Sequence, residues 1–163
     1  RSGGRAGAEV PPRGADPRTV AHALIQVAGR EVSVYLTHLI RQPFNSDARM
    51  RQSALIAGLL ERDPRPKLLL GDLNDGPDSR TVRLLRRGLT DVFAASGQGP
   101  DGTYPLPLPF SPEMRIDYVL ACDAFEPLRS EVLRVGASDH YPVVADVRLK
   151  AAPQPELVSG AAP

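Results

Sequence analysis

The stretch 67–71, KLLLG, constrains the fold more than any other part of the chain: a short, nearly all-apolar run that stops at a glycine. It is too short for a core helix, and its lack of alternation suits a strand buried on both faces. Such a strand needs covering layers, and its neighbours supply candidates. Residues 47–62 are helical by pattern, with Ala48, Leu55, Ile56, Leu59 and Leu60 near one stripe and Ser46 as the N-cap. Residues 79–87 read as a second helix, with Asp78 or Ser79 capping it and Gly88 at the C′ position. Upstream, 20–27 and 31–37 both alternate about Ala28-Gly29-Arg30, which predicts a hairpin. In its second strand Val32, Val34 and Leu36 share one face, and Ser33, Tyr35 and Thr37 share the other. Three further strands are expected at 115–121, 128–135 and 141–149, the last alternating through Val143, Ala145 and Val147. Helices between strands early, then strands in succession, predict an α/β (α+β layered) domain.

Length and composition set the outer limits. A chain of 163 residues suggests one domain, and 42% hydrophobic residues permit a real core. Residues 1–18 are rich in Gly, Pro and Arg and read as a mobile lead-in. Residues 151–163 read as a disordered tail, which leaves 19–150 as the ordered part. Residues 96–113, dense in proline and glycine, read as a long loop of the kind that often carries function. Twenty basic against 19 acidic residues give a net charge of +1, which argues against a protein that coats nucleic acid through bulk charge. The single cysteine, Cys122, allows no internal disulfide and no cysteine-based zinc site. No apolar run approaches the ~20 residues of a membrane span, and no signal-peptide core is visible.

Polar residues gather at the expected strand ends. His38 closes one strand; Asp72, Asn74 and Asp75 follow LLLG; Ser138, Asp139 and His140 precede the last strand. Ligands and catalytic groups collect beyond strand ends in such sheets. Each cluster also has a plainer reading. Asp72 and Asn74 suit an Asx-turn, 138–140 an ordinary polar connection, and His38 a surface histidine. Asp117 is harder to dismiss. It sits in the strand RIDYVLA between Ile116 and Tyr118, which point to the opposite face, and a carboxylate there needs a histidine or arginine partner. Together the set suits a phosphate ester. Such hydrolysis needs a hard cation held by carboxylates, a base or orienting group for water, and donors onto phosphoryl oxygens. A Ser-His-Asp hydrolase would use the same residue types, but no G-x-S-x-G elbow is present.

The ordered motifs THL at 37–39, GDLN at 71–74, RIDYVL at 115–120 and SDHYPV at 138–143 resemble those of the endonuclease/exonuclease/phosphatase superfamily. The resemblance covers about 19–149. It implies a DNase I-like four-layer sandwich and a divalent-metal-dependent phosphoesterase using Mg²⁺ or Mn²⁺. By the same resemblance Asp72 orients or deprotonates the attacking water, and Asn74 holds the phosphate. His140 acts at the scissile phosphate, Asp117 orients it, and His38 bonds a phosphoryl oxygen. Asp139 and Asp72 are the carboxylates implied near the metal. Two departures stand out. Leu36 occupies the place where members often carry Asn before the TH pair, and upstream of Val20 there is only Glu9 where an early strand should bear a metal-binding Glu. The chain also begins with Arg1. It is therefore expected to be the C-terminal part of the domain, with the first sheet largely missing and an apolar sheet face left exposed.

Two functions are thus carried forward: the phosphoesterase, and a catalytically inactive phosphate- or partner-binding module derived from the same family. The expected partner is a phosphate-ester substrate. Nucleic acid remains one candidate, since Arg80, Arg83 and Arg87 could share a helix face, although the chain has no Trp and few aromatics.

Overall fold

The computed structural model describes residues 18–41, 46–106 and 111–151. The expected lead-in up to residue 17, Glu9 within it, and the tail from residue 152 lie outside them.

The hairpin forms as expected. β1 (Val20–Val27) pairs antiparallel with β2 (Arg30–His38). The turn itself is only Ala28-Gly29, both at positive φ (49° and 76°), because Arg30 is already paired with Val27. Two consecutive positive φ values match the right-handed twist of the flanking strands. The chain then enters α1 (Ser46–Arg62) and returns as β3 (Lys67–Asp72), parallel to β2. Ser46, expected as a cap, is the first helical residue.

After β3 come α2 (Arg80–Leu85), β4 (Leu89–Asp91), α3 (Val92–Ser96) and the two-residue β5 (Gly97–Gln98). The Ser79 hydroxyl caps α2 by accepting from the Val82 amide, and Asp91 caps α3 through the Ala94 amide. β6 (Asp117–Cys122), β7 (Phe125–Val132) and β8 (Val143–Leu149) complete the fold. One sheet has the order β1-β2-β3-β6-β4, and the other β5-β7-β8. The mixed α/β class is as the sequence predicted.

The core explains this layering. Leu69, Tyr35, Tyr118 and Leu120 meet Ile56 and Leu60 of α1 and Val82 and Leu85 of α2. Phe125, Val147 and Leu149 bring the second sheet onto the same core. Two expectations change. Ala48, Ile56 and Leu60 of α1 are buried as expected and Arg49 and Ser53 join them, while Leu55 is 73% exposed and Leu59 is also exposed. And β3 is not buried on both faces: Leu69 is buried, but Leu68 and Leu70 are only half covered. On that second face Leu36 and Ile25 are exposed, since the second sheet covers only part of it.

Candidate active site

Register brings the site together. β2 and β3 run parallel and end level, so His38 lies beside Asp72. β6 runs antiparallel and begins there, so Asp117 lies opposite Asp72. Three residues far apart in sequence therefore stand on adjacent strands at one sheet end. Gly71 makes this level ending possible: a Cβ there would lie 1.8 Å from the Thr37 carbonyl oxygen.

His140 arrives from the connection into β8, in the other sheet. Its Nδ1 lies 2.8 Å from Asp117 Oδ2, and its Nε2 lies 4.0 Å from Asp72 Oδ2. On the other side, His38 Nε2 is 3.4 Å from the same Asp72 oxygen. One carboxylate oxygen thus sits between two imidazoles. Burial raises the pKa of Asp72, and the facing Asp117 carboxylate raises it further; the Asn74 amide and the two histidines oppose this.

Asn74 is held at φ 50°. Its backbone amide donates to Asp72 Oδ1 at 2.7 Å, which closes the Asx-turn of the plainer reading. Its side-chain Nδ2 donates to the Leu39 carbonyl at 2.9 Å and to Asp72 Oδ2 at 3.2 Å. A primary amide has two protons, so both are spent on holding the turn and the carboxylate.

A cavity of about 780 Å³ opens over these groups, lined by His38, Asp72, Asn74, Asp139 and His140 among others. Asp117 lies behind His140 and lines the adjoining cavity. Asp139 is exposed on the rim, and its Oδ1 accepts from the Ser138 hydroxyl at 3.2 Å. Among the described residues, Asp72, Asp117 and His140 form a group whose ligand atoms lie within 4.8 Å of one another. Asp139, expected near a metal, lines the cavity but is not in that group.

The structure adds residues that pattern reading passed over. Tyr104 leans on His140, ring centroids 4.8 Å apart and planes at 50°, and Arg41 donates to its hydroxyl at 2.8 Å. Arg49, buried on α1, reaches Asp75 at 3.1 Å and the Ile40 carbonyl at 3.4 Å. Gln52 accepts from the Ile40 amide, so α1 anchors the chain just past His38. The Tyr118 hydroxyl lies 2.9 Å from the carbonyls of both Asp75 and Arg115. An arginine at stripe spacing with Ser53 and Ile56 was the one available sequence signal; Tyr104, on an aperiodic loop, offered none.

A functionally unknown conserved protein from Enterococcus faecalis V583 superposes with a TM-score of 0.76 at 22% identity, over 87% of this chain and 60% of that one. The mannosyl-6-phosphatase Bt3783 of Bacteroides thetaiotaomicron gives 0.71 at 22% identity, over 86% and 61%. TDP2 of D. rerio, complexed with a single-strand DNA product, gives 0.67 at 17% identity, over 80% and 62%. The chain thus spans about three fifths of the length of these structures, which share its fold. No curated protein sequence matches it. A model of the endonuclease/exonuclease/phosphatase family matches residues 8–140, and on that match, well over half of the chain, the chain belongs to the endonuclease/exonuclease/phosphatase family.

Proposed function

We propose that this chain carries the phosphoryl-handling part of a divalent-metal-dependent phosphoesterase acting on a phosphodiester or phosphomonoester. The observation that supports it best is the line His38–Asp72–His140–Asp117 at one sheet end, with contacts of 3.4, 4.0 and 2.8 Å. Asp117 fixes one nitrogen of His140 and leaves Nε2 toward the cavity. In the neutral ring Nε2 accepts a proton; in the charged ring it donates to a phosphoryl or leaving-group oxygen. Asp72, made more basic by burial and by Asp117, is the group suited to orient or deprotonate water. His38 is half exposed at 55% and free to turn toward a phosphoryl oxygen. Asn74 would give the phosphate a proton only by releasing its longer, 3.2 Å bond to Asp72, so its first role is to hold that carboxylate.

A hard divalent cation suits the donor set, because Asp72 and Asp117 face each other and the Asp117 carboxylate raises the cost of charging Asp72. Mg²⁺ or Mn²⁺ would be held by Asp72, with Asp139 on the same cavity, and would supply positive charge against the phosphoryl oxygens. The fold shared with a phosphatase of mannosyl-6-phosphate type and with a protein that holds a DNA product leaves both ester classes open.

The test is turnover of p-nitrophenyl phosphate and bis-p-nitrophenyl phosphate with Mg²⁺ or Mn²⁺. It would be run on this chain and on its full reading frame. Asp72→Asn and His140→Ala should each lower turnover by at least ~100-fold, the usual size of acid–base and electrostatic contributions. Near-wild-type turnover in either variant, or turnover indifferent to chelator, overturns the assignment.

A further inference from the structure

Thr103 is fully buried although it stands in the long connection between β5 and β6. Its hydroxyl oxygen accepts from two consecutive amides, Ile116 at 3.0 Å and Asp117 at 3.2 Å. Its own proton faces the Met114 carbonyl at 3.4 Å. A hydroxyl has two acceptor positions and one donor, and all three are engaged here. The backbone is used as well: the Thr103 amide donates to Met114 O at 2.8 Å, and the Thr103 carbonyl accepts from the Tyr141 amide at 2.7 Å. The next residue, Tyr104, is the one whose ring leans on His140.

One residue therefore holds both members of a pair that come from different sheets. It grips Asp117 by its amide and the segment just after His140 by the amide of Tyr141. The need follows from strand geometry. In antiparallel pairing, successive residues turn their amides to opposite edges. The Leu73 amide donates to the Ile116 carbonyl at 2.8 Å, which makes the neighbouring Asp72–Asp117 pair the one without mutual bonds, so the Asp117 amide faces the other edge. There β4 pairs with β6 only as far as Asp91 opposite Leu120, and ends short of Asp117. Among the described residues no strand pairs with that edge at Asp117, and Thr103 fills the place where Asp117 lies 2.8 Å from His140.

We infer that Thr103 is the positioning residue of the Asp117–His140 pair, acting through its hydroxyl and its carbonyl rather than by touching substrate. The inference rests on the proposed function only for what the pair is used for, so the test avoids turnover. In ¹⁵N-labelled protein the Ile116 and Asp117 amides should exchange slowly with water. The Nδ1 proton of His140 should appear as a downfield, slowly exchanging signal. Thr103→Val keeps the shape and removes the acceptor. It should speed exchange of those two amides by at least ~10-fold relative to the Leu69 amide, the equivalent of about one lost hydrogen bond, and abolish the His140 signal. Thr103→Ser should restore both. A merely structural role would lower the melting temperature and speed exchange throughout, with the His140 signal kept. Retention of that signal in Thr103→Val, or a Thr103→Ser protein that behaves like Thr103→Val, overturns the inference. Should Thr103→Val fail to fold, the wild-type protein still decides: Ile116 and Asp117 amides exchanging as fast as exposed loop amides would refute it. Loss of phosphoesterase activity in every form of the protein would leave this result standing by itself.

Discussion

Gly71→Ala perturbs one atom at the point where strand pairing and site geometry meet. Gly71 has φ +139°, a region that costs an L residue about 1–3 kcal/mol. The new Cβ would also lie 1.8 Å from the Thr37 carbonyl oxygen, and contacts under 3.0 Å are not tolerated. β2 and β3 would have to part by more than about 1 Å, enough to break one or two ladder bonds worth about 0.5–1.5 kcal/mol each. The expected total is about 1.5–6 kcal/mol, a fall in melting temperature of roughly 3–24 °C for a chain of this size. The next pair in register is His38 beside Asp72, so the 3.4 Å contact between them should go too. Thermal melting by circular dichroism separates the causes when run beside two controls. Gly29→Ala meets nothing within 4 Å but has φ +76°, and should cost about 1–2 kcal/mol. Gly76→Ala meets nothing and has no positive φ, and should stay within about 0.5 kcal/mol of wild type. A Gly71→Ala protein that melts no lower than Gly29→Ala would refute the steric argument.

Two further expectations concern the groups that hold the fold around the site. Arg115 is 8% exposed, its Nη1 lies 3.0 Å from Asp91, which is 1% exposed, and its guanidinium sits over the Phe93 and Tyr118 rings. Arg115→Met leaves Asp91 buried without its cation and should cost about 3–5 kcal/mol by urea unfolding, part of it recovered when Asp91→Asn is added; a single-variant loss under about 1 kcal/mol would contradict this. At the other end of the sheet, burial alone would raise the pKa of Asp63, but hydrogen bonds from Arg65 and Tyr35 outweigh it and hold the carboxyl well below the usual range. A depressed folded value means stabilisation that is full above the unfolded pKa of about 3.9 and lost as pH falls below it. Asp63→Asn should therefore differ from wild type most at neutral pH and least under acid; a difference in unfolding free energy that stays constant down to pH 3 would count against the linkage.

Much of the fold was legible because periodicity reports burial directly. The β1–β2 alternation and the KLLLG run each matched a strand, and the amphipathic runs matched α1 and α2. What failed was finer. Leu55 and Leu59 were placed in the α1 stripe by hydrophobicity, yet Arg49 and Ser53 are buried instead. A pattern cannot show that a buried arginine will find Asp75. β4, α3 and β5 escaped because elements of two to five residues carry no usable period. β7 begins at Phe125 and ends at Val132, not at 128 and 135, because Pro127 and a bulge before Arg129 obscure its alternation.

The site divides in the same way. The sequence by itself determined which side chains could do chemistry, since it places polar residues at strand ends and puts a carboxylate between Ile116 and Tyr118. Tertiary structure alone decided how they meet. Parallel register sets His38 beside Asp72, and antiparallel register sets Asp117 opposite it. The second sheet swings His140 back across a gap of 23 residues to reach Asp117. Such contacts depend on backbone register and on Thr103, whose value lies in two amides that only the folded chain leaves without a strand. Local sequence specifies the period of an element, whereas the distance between two elements is set by every side chain packed between them.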